Sequence, residues 1–280
     1  MPTKSLSIYN SEDFTVDNSD QLVVEFGRSH MALLACRGSR KSIAAFELFT
    51  FADKKPEDLK KVFHFISLNS KLMNNNASAT KIFINTEFCI PVPIFKFNKE
   101  IAVDYLNLVC GEDHQAKVHF EHLPIEPGIM NVFRVDDNWR NHISENFNKV
   151  TFHHTYSNII KGLRGIDDLP ASFISVNFYN TFFTAVVMKD GKFNLIQSFV
   201  YGNSEDVLYH LLNVATQFQL VSDEIILQIS GLVDLDFKLY RDLIRYFKNV
   251  QVAKIESSDP ALQIQDHPLH YYTPFFNLVK

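Results

Sequence analysis

Residues Ala171–Val200 read ASFISVNFYNTFFTAVVMKDGKFNLIQSFV. Three β-rich runs lie in this stretch: Ser172 to Phe178, Thr181 to Met188 and Phe193 to Val200. Tyr179-Asn180 supplies a tight turn between the first two. Lys189-Asp190-Gly191-Lys192 supplies the second turn, because Asp-Gly tolerates the positive φ angles of a two-residue hairpin loop. The stretch therefore predicts a three-strand meander. A helix follows, capped by Asn203 or Ser204, with Glu205 and Asp206 at the positive end of its dipole and an apolar stripe of Leu208, Leu211, Leu212 and Ala215. Glu224 to Ile229 is the next strand and Ser230-Gly231 breaks it. A helical stripe of Tyr240, Leu243, Ile244 and Phe247 then leads to a strand from Val250 to Ile255.

The same order occurs once before. Strands run from Gln21 to Phe26, His30 to Cys36 and Ser42 to Phe51, with Arg37-Gly38-Ser39 at the hairpin. Leu59, Val62, Phe63 and Ile66 repeat the stripe of the later helix, and Lys81 to Ile84 matches Glu224 to Leu227. Ile143, Phe147 and Val150 align with Leu243, Phe247 and Val250. His154-Thr155-Tyr156-Ser157 resembles His270-Tyr271-Tyr272-Thr273, with Ser157 and Thr273 as expected N-caps and Pro274 at the first helical position. A repeated unit of this size predicts two duplicated α/β lobes, 1–168 and 169–280. The first copy is longer by a segment at about 87–127. That segment holds the Pro-bounded piece Ile90-Pro91-Val92-Pro93, a helix with Ile101, Ala102, Tyr105, Leu106 and Val109, and a strand from Gln115 to Phe120. It reads as an inserted subdomain.

Composition bounds the function. The 280 residues are 46% hydrophobic and 21% charged, with a net charge of −5, which argues against a nucleic-acid binder. The basic residues from Arg28 to Lys61 are interrupted by acidic ones and read as a solvated face. The 26 Phe point to an aromatic core, and Cys36, Cys89 and Cys110 to reduced thiols. The N-terminal residues have no apolar run and no 18-residue apolar segment occurs, so a cytoplasmic protein without membrane insertion is expected.

A β-β-β-α-β-α-β-α unit occurring twice resembles the ribonuclease-H-like unit of the actin-like ATPase superfamily. The insertion after the fourth strand is similar to the extra subdomain of the cell-division protein FtsA and the type IV pilus assembly protein PilM. The chain also resembles a bacterial family of unknown function with an actin-like ATPase fold. The resemblance implies mixed sheets flanked by helices and a nucleotide cleft between lobes. Active members cradle phosphate on an Asp-x-Gly turn in each lobe and rest adenosine on a Gly-Gly turn. Carried onto this sequence, the first turn is Glu25-Phe26-Gly27-Arg28-Ser29, with a longer carboxylate that would displace a metal-bound water. The second is Asn177-Phe178-Tyr179-Asn180, without carboxylate or glycine, and the adenosine turn is Ser230-Gly231-Leu232 with one glycine.

Glu25, Gly27, Ser29, Asn177, Ser230 and Gly231 are therefore expected to form a degenerate nucleotide cleft, with no catalytic residue and no cofactor. The expected function is a non-catalytic scaffold or adaptor for a protein partner, with homodimerisation as a further arrangement. The alternative is an ATP-binding switch or weak ATPase using ATP with Mg in the same cleft. His119, Glu121 and His122 are metal-ligand types, but on a strand they do not converge, and an exposed polar strand is expected instead. His153-His154 and His267 with His270 occupy equivalent places and read as hydrogen-bonded interface histidines. Trp139 is expected in core or inter-lobe packing. Walker A, Gly-x-Ser-x-Gly, Cys-x-x-Cys and His-Glu-x-x-His signatures are absent from the sequence.

Overall fold

Strand formation begins before the repeat. In the computed structural model, which describes residues 2–38, 42–52, 58–73, 77–123, 125, 128–163, 170–253 and 267–279, Thr3–Tyr9 (β1) is a strand that the sequence pattern did not suggest. The first copy then runs Gln21–Gly27 (β2), His30–Arg37 (β3), Ser42–Thr50 (β4), Leu59–Asn69 (α1) and Ala79–Asn85 (β5). After the inserted Cys89–Pro93 (β6), Ala102–Cys110 (α2), Ala116–Leu123 (β7) and Ile129–Asp136 (β8), it closes with Asp137–Asn146 (α3), Val150–His154 (β9) and Thr155–Leu163 (α4). The second copy runs Ser172–Phe178 (β10), Phe182–Lys189 (β11), Lys192–Val200 (β12), Ser204–Gln217 (α5), Ile226–Gly231 (β13), Lys238–Tyr246 (α6), Asn249–Val252 (β14) and Thr273–Phe276 (α7).

The two main sheets have one topology. Their orders are β1-β4-β3-β2-β5-β9 and β12-β11-β10-β13-β14, identical once the extra edge strand β1 is set aside. In each, the meander is antiparallel and the later strands add in parallel, β2 to β5 and β10 to β13. The Asp190-Gly191 turn has the expected geometry, with φ of 51° and 70°. Asn203 closes a capping box with Asp206 at the start of α5. The α1 stripe of Leu59, Val62, Phe63 and Ile66 is buried as read from its spacing. On α5 the buried stripe is instead Val207, Leu211, Val214 and Ala215, and Leu208 and Leu212 lie at its margin.

Neither hydroxyl expected to cap the closing helices does so. Helix α4 starts two residues before Ser157, whose Oγ accepts a hydrogen bond from Asn131 Nδ2 (2.8 Å). Thr273 is itself the first residue of α7, whose start has no side-chain cap. The expected strand 250–255 ends at Val252, and its residues 254–255, with Ser39 of the first hairpin, fall outside the described structure.

The inserted segment reaches further than its sequence suggests. Its three-stranded sheet, order β6-β8-β7, takes in β8. One face of this sheet joins the first-lobe core through Cys89, Leu123, Ile129, Phe133 and Val135, and the other is covered by Ala102 and Leu106 of α2. Helix α2 therefore buries only part of the apolar set expected of it, while Ile101 and Val109 are exposed. Strand β7 also has an inward side: Glu121 accepts from His153 Nδ1 (2.6 Å) and the His154 backbone N–H (3.2 Å), so the expected exposed polar strand is half correct. Trp139 packs on Phe26 with ring centroids 4.6 Å apart.

The lobes exchange their closing helices. Tyr156 on α4 donates a hydrogen bond to Ser198 of β12 (2.7 Å), and α4 shares one core with Phe173, Val186, Met188 and Ile196. Reciprocally, Tyr272, Phe275 and Phe276 pack on Phe46 of β4, with centroids 5.5 to 5.6 Å apart. Asn158 Nδ2 donates to Asn277 O (3.0 Å), tying the two closing segments together. Among the described residues, no helix is long and apolar enough to cross a membrane.

Candidate functional site

In an open α/β sheet, loops at the carboxyl ends of parallel strands gather in one place, and that is where ligands bind. Here β2 ends at Gly27, β5 at Asn85 and β9 at His154, while β10 ends at Phe178 and β13 at Gly231. The first-lobe residues read as phosphate-turn residues all sit at this junction, yet they are turned to internal bonding.

Glu25 is fully buried. Its Oε1 accepts from Asn85 Nδ2 (3.2 Å) and pairs with His30 Nε2 (2.7 Å), and its Oε2 accepts from Thr155 Oγ1 (2.9 Å). Both carboxylate oxygens are thereby engaged by the protein. Gly27 makes room for His30: a Cβ there would lie 2.4 Å from His30 Cε1 and 2.8 Å from Nδ1, so the imidazole covers the turn. Ser29 Oγ lies 3.1 Å from Thr181 Oγ1 and joins the turns of the two lobes directly.

The second-lobe turn contributes rings. Strand alternation sends Phe178 into its own lobe's core, beside Phe183, and sends Tyr179 to the junction. Tyr179 is 1% exposed, stacks on His30 (centroids 4.9 Å, 27° between planes) and on Phe182 (4.6 Å, 13°), and meets the edge of Phe275 (5.9 Å). Burial, reinforced by the Glu25 charge, pushes its phenol well above the usual tyrosine range. Glu25 and Asn85 lie near the hydroxyl without meeting it at hydrogen-bond geometry, so the Tyr179 hydroxyl is unpaired among the described residues.

The remaining candidates serve strand pairing. Ser230 Oγ donates to Asn177 Oδ1 (2.6 Å) across the β10–β13 ladder. Gly231 has φ of 86°, and a Cβ there would fall 2.1 Å from the Phe178 carbonyl oxygen. Sequence reasoning missed His30, Asn85, Thr155 and Thr181. Two of these had a local signal: His30 directly follows the Gly27-Arg28-Ser29 turn, and Thr155 lies inside the repeated His-x-Tyr motif.

The histidines of that motif play one role twice. His154 Nε2 donates to the Thr86 carbonyl just past β5 (3.1 Å), and His270 Nε2 bonds the Val233 carbonyl just past β13 (2.7 Å). Each works within its own lobe. His154 also accepts from the Tyr156 N–H at Nδ1 (3.1 Å), which fixes a neutral tautomer, and burial pulls its pKa down to about 4.

A lowered pKa in the folded state means that the unfolded chain takes up a proton first as pH falls. The His154 contribution to stability is thus complete above about pH 6.5 and is lost on descent through about pH 4, on the order of 3 kcal/mol. Urea midpoints measured across this window should fall with pH, and His154→Gln should flatten that slope. An unchanged slope in the variant would assign the dependence elsewhere.

Residues 10–250 match a family model described as "Protein of unknown function (DUF3822)". Among solved structures, the chain is similar to a Bacteroides thetaiotaomicron protein with actin-like ATPase fold and unknown function: 17% identity, TM-score 0.73, covering 87% of this chain and 94% of that one. It is also similar to a chain of a PilM–PilN type IV pilus biogenesis complex, at 10% identity and TM-score 0.60 over 94% of this chain and 97% of that one. A third likeness is to the ethanolamine utilization protein EutJ from Carboxydothermus hydrogenoformans, at 10% identity and TM-score 0.50 over 95% and 91% of the two chains. No curated protein matches. At these identities the likeness establishes the fold, which is the actin-like ATPase fold with two ribonuclease-H-like lobes.

Proposed function

Because the chain belongs to the DUF3822 family of proteins of unknown function, we propose its role from geometry: a non-catalytic, cytoplasmic actin-like scaffold or adaptor that binds other proteins. The observation that carries this reading is the Tyr179–His30 stack over Gly27, set beside a Glu25 with both oxygens engaged. Phosphoryl transfer needs backbone N–H groups open to phosphate and a carboxylate able to position a metal-bound water. Here a side chain of the second lobe stands over the turn of the first, and the carboxylate is buried.

In protein atoms the junction does what a bridging nucleotide would do. Ser29–Thr181, Tyr156–Ser198 and the Tyr179 stack each join one lobe to the other. Such a chain holds its lobes together without a ligand and offers a fixed surface to a partner. The fold supports a binding role in one solved neighbour, which occurs in a complex with PilN. Fold analogy is a weak warrant for function, so the junction carries the proposal and the neighbour only agrees with it.

Thermal unfolding with and without Mg-ATP tests it. A ligand that binds only the native state at 100 times its Kd adds about 2.7 kcal/mol of stability. The expected result is an unchanged Tm at millimolar Mg-ATP. A rise with Mg-ATP that Mg alone does not produce would overturn the scaffold reading in favour of a nucleotide-dependent switch at Glu25, Gly27, Ser29, Asn177, Ser230 and Gly231.

A further inference from the structure

The outer strands of the two meanders match residue by residue. Strand β4 pairs with β3 from His30–Thr50, and β12 with β11 from Phe182–Val200. Both ladders bulge at the same step, leaving out Ala44 in one and Asn194 in the other. The Phe51 N–H bonds Ser29 O beyond one (2.9 Å), and the Tyr201 N–H bonds Thr181 O beyond the other (3.2 Å). The outer edge of β12 is therefore a copy of the outer edge of β4, because a bulge fixes the local bend and twist of its strand.

One edge is covered and its copy is open. Strand β1 lies antiparallel on β4, setting Leu6 against Leu48 and Ile8 against Phe46. Ladder bonds alternate along an antiparallel strand, and the Asn10 N–H bond to Ala44 O (3.0 Å) puts the backbone groups of Phe46 and Leu48 on the β1 side. By the same alternation Leu195, Gln197 and Phe199 bond β11, while the backbone groups of Ile196 and Ser198 point outward. No strand among the described residues pairs with them. Side-chain burial differs accordingly. Ala44 to Phe49 are all buried, but of the equivalent Asn194 to Phe199 only Ile196 is, and Val200 is 74% exposed. The other outer strands are protected: the Glu121 carboxylate takes the His154 N–H of β9 (3.2 Å), and β14 is four residues long. A nine-residue open edge is a template for another strand.

The covered edge shows what fits the open one. Leu6 is buried with Phe46 and Phe276 of α7, and Ile8 packs beside them. The equivalent side of β12 carries Ile196, in one core with Tyr156 and Ile160 of α4. On the other side of β1, Lys4 Nζ (2.7 Å) and the Tyr9 hydroxyl donate to Glu47. Gln197, exposed, offers an amide oxygen at the place of Glu47.

We propose that the outer edge of β12 binds an extended segment of a partner protein as an antiparallel sixth strand, with apolar side chains at two alternate positions beside α4 and hydrogen-bond donors toward Gln197. The inference rests on the scaffold reading and names its contact surface.

The probe is a synthetic peptide of residues 2–10, the strand that fits the equivalent edge, added to the full chain, in which β1 already covers β4. Amide exchange followed by NMR should slow about tenfold at Ile196 and Ser198 in about 1 mM peptide, as a Kd of about 100 µM requires. The same peptide N-methylated at Leu6 and Ile8, which lacks the donors facing the edge, should change nothing. Unslowed exchange at Ile196 and Ser198, or equal slowing by the methylated peptide, overturns the proposal. Protection of both amides without peptide, rising with protein concentration, gives the edge to a second copy and overturns it as well. None of these results bears on melting with Mg-ATP, so the scaffold reading stands or fails separately.

Discussion

Gly231→Ala is expected to cost more than about 3 kcal/mol and to remove most of the soluble folded protein. The position combines two independent constraints. Its φ of 86° lies in the left-handed region, where a Cβ costs roughly 1–2 kcal/mol. That Cβ would also sit 2.1 Å from the Phe178 carbonyl oxygen and 2.9 Å from its nitrogen. Neither obstacle is a side chain that can rotate away, because both atoms are backbone of β10, paired with β13 at this point. Overpacking alone costs about 1–3 kcal/mol even where neighbours can shift. Against a total domain stability of roughly 5–15 kcal/mol this is a large share. Urea unfolding followed by circular dichroism measures it, and a variant within about 1 kcal/mol of wild type would mean that the β13 turn is not built as described.

The second large effect is at Tyr179. Tyr179→Ala should cost about 3–5 kcal/mol, since it takes out a buried ring that touches His30, Phe182 and Phe275 at once. Tyr179→Phe should be neutral to within about 1 kcal/mol, because the hydroxyl it removes has no hydrogen-bond partner. The contrast separates packing from hydrogen bonding. If both variants lost stability equally, the phenol would be held by Glu25 or Asn85 in solution, and the polar contact rather than the ring would join the lobes there.

The lobes were legible because their signals are local. Asp190-Gly191 fixes a hairpin within four residues, and Leu59, Val62, Phe63 and Ile66 declare a helix within two turns. Strand β1 was hidden because it buries only Leu6 and gains its place by pairing with β4, some forty residues on. Strand β8 was hidden because it joins the inserted sheet by pairing with β6, some forty residues before it. The α5 stripe keeps Leu211 and Ala215 but takes Val207 and Val214 in place of Leu208 and Leu212, because these six residues supply apolar groups around more than one face and tertiary contact chose among them.

The junction was half legible. The second turn was legible as lacking a carboxylate and a glycine, but strand alternation, settled by register, decided that Tyr179 and not its neighbour Phe178 would stand over the first-lobe turn. The fate of Glu25 was beyond local reading, because Asn85 lies 60 positions away and Thr155 130. A glutamate in a strand gives no sign of partners so distant.

The exchange of closing helices has a consequence for synthesis. A ribosome makes a chain from its N-terminus, and early domains generally fold first. Here the outer face of the first sheet, around Phe46, is covered by Tyr272, Phe275 and Phe276. More than two hundred residues of translation separate the two sides of that contact. The first lobe must therefore wait as a nascent chain with one side of its sheet bare, and the lobe that is begun first is among the last parts of the molecule to be finished.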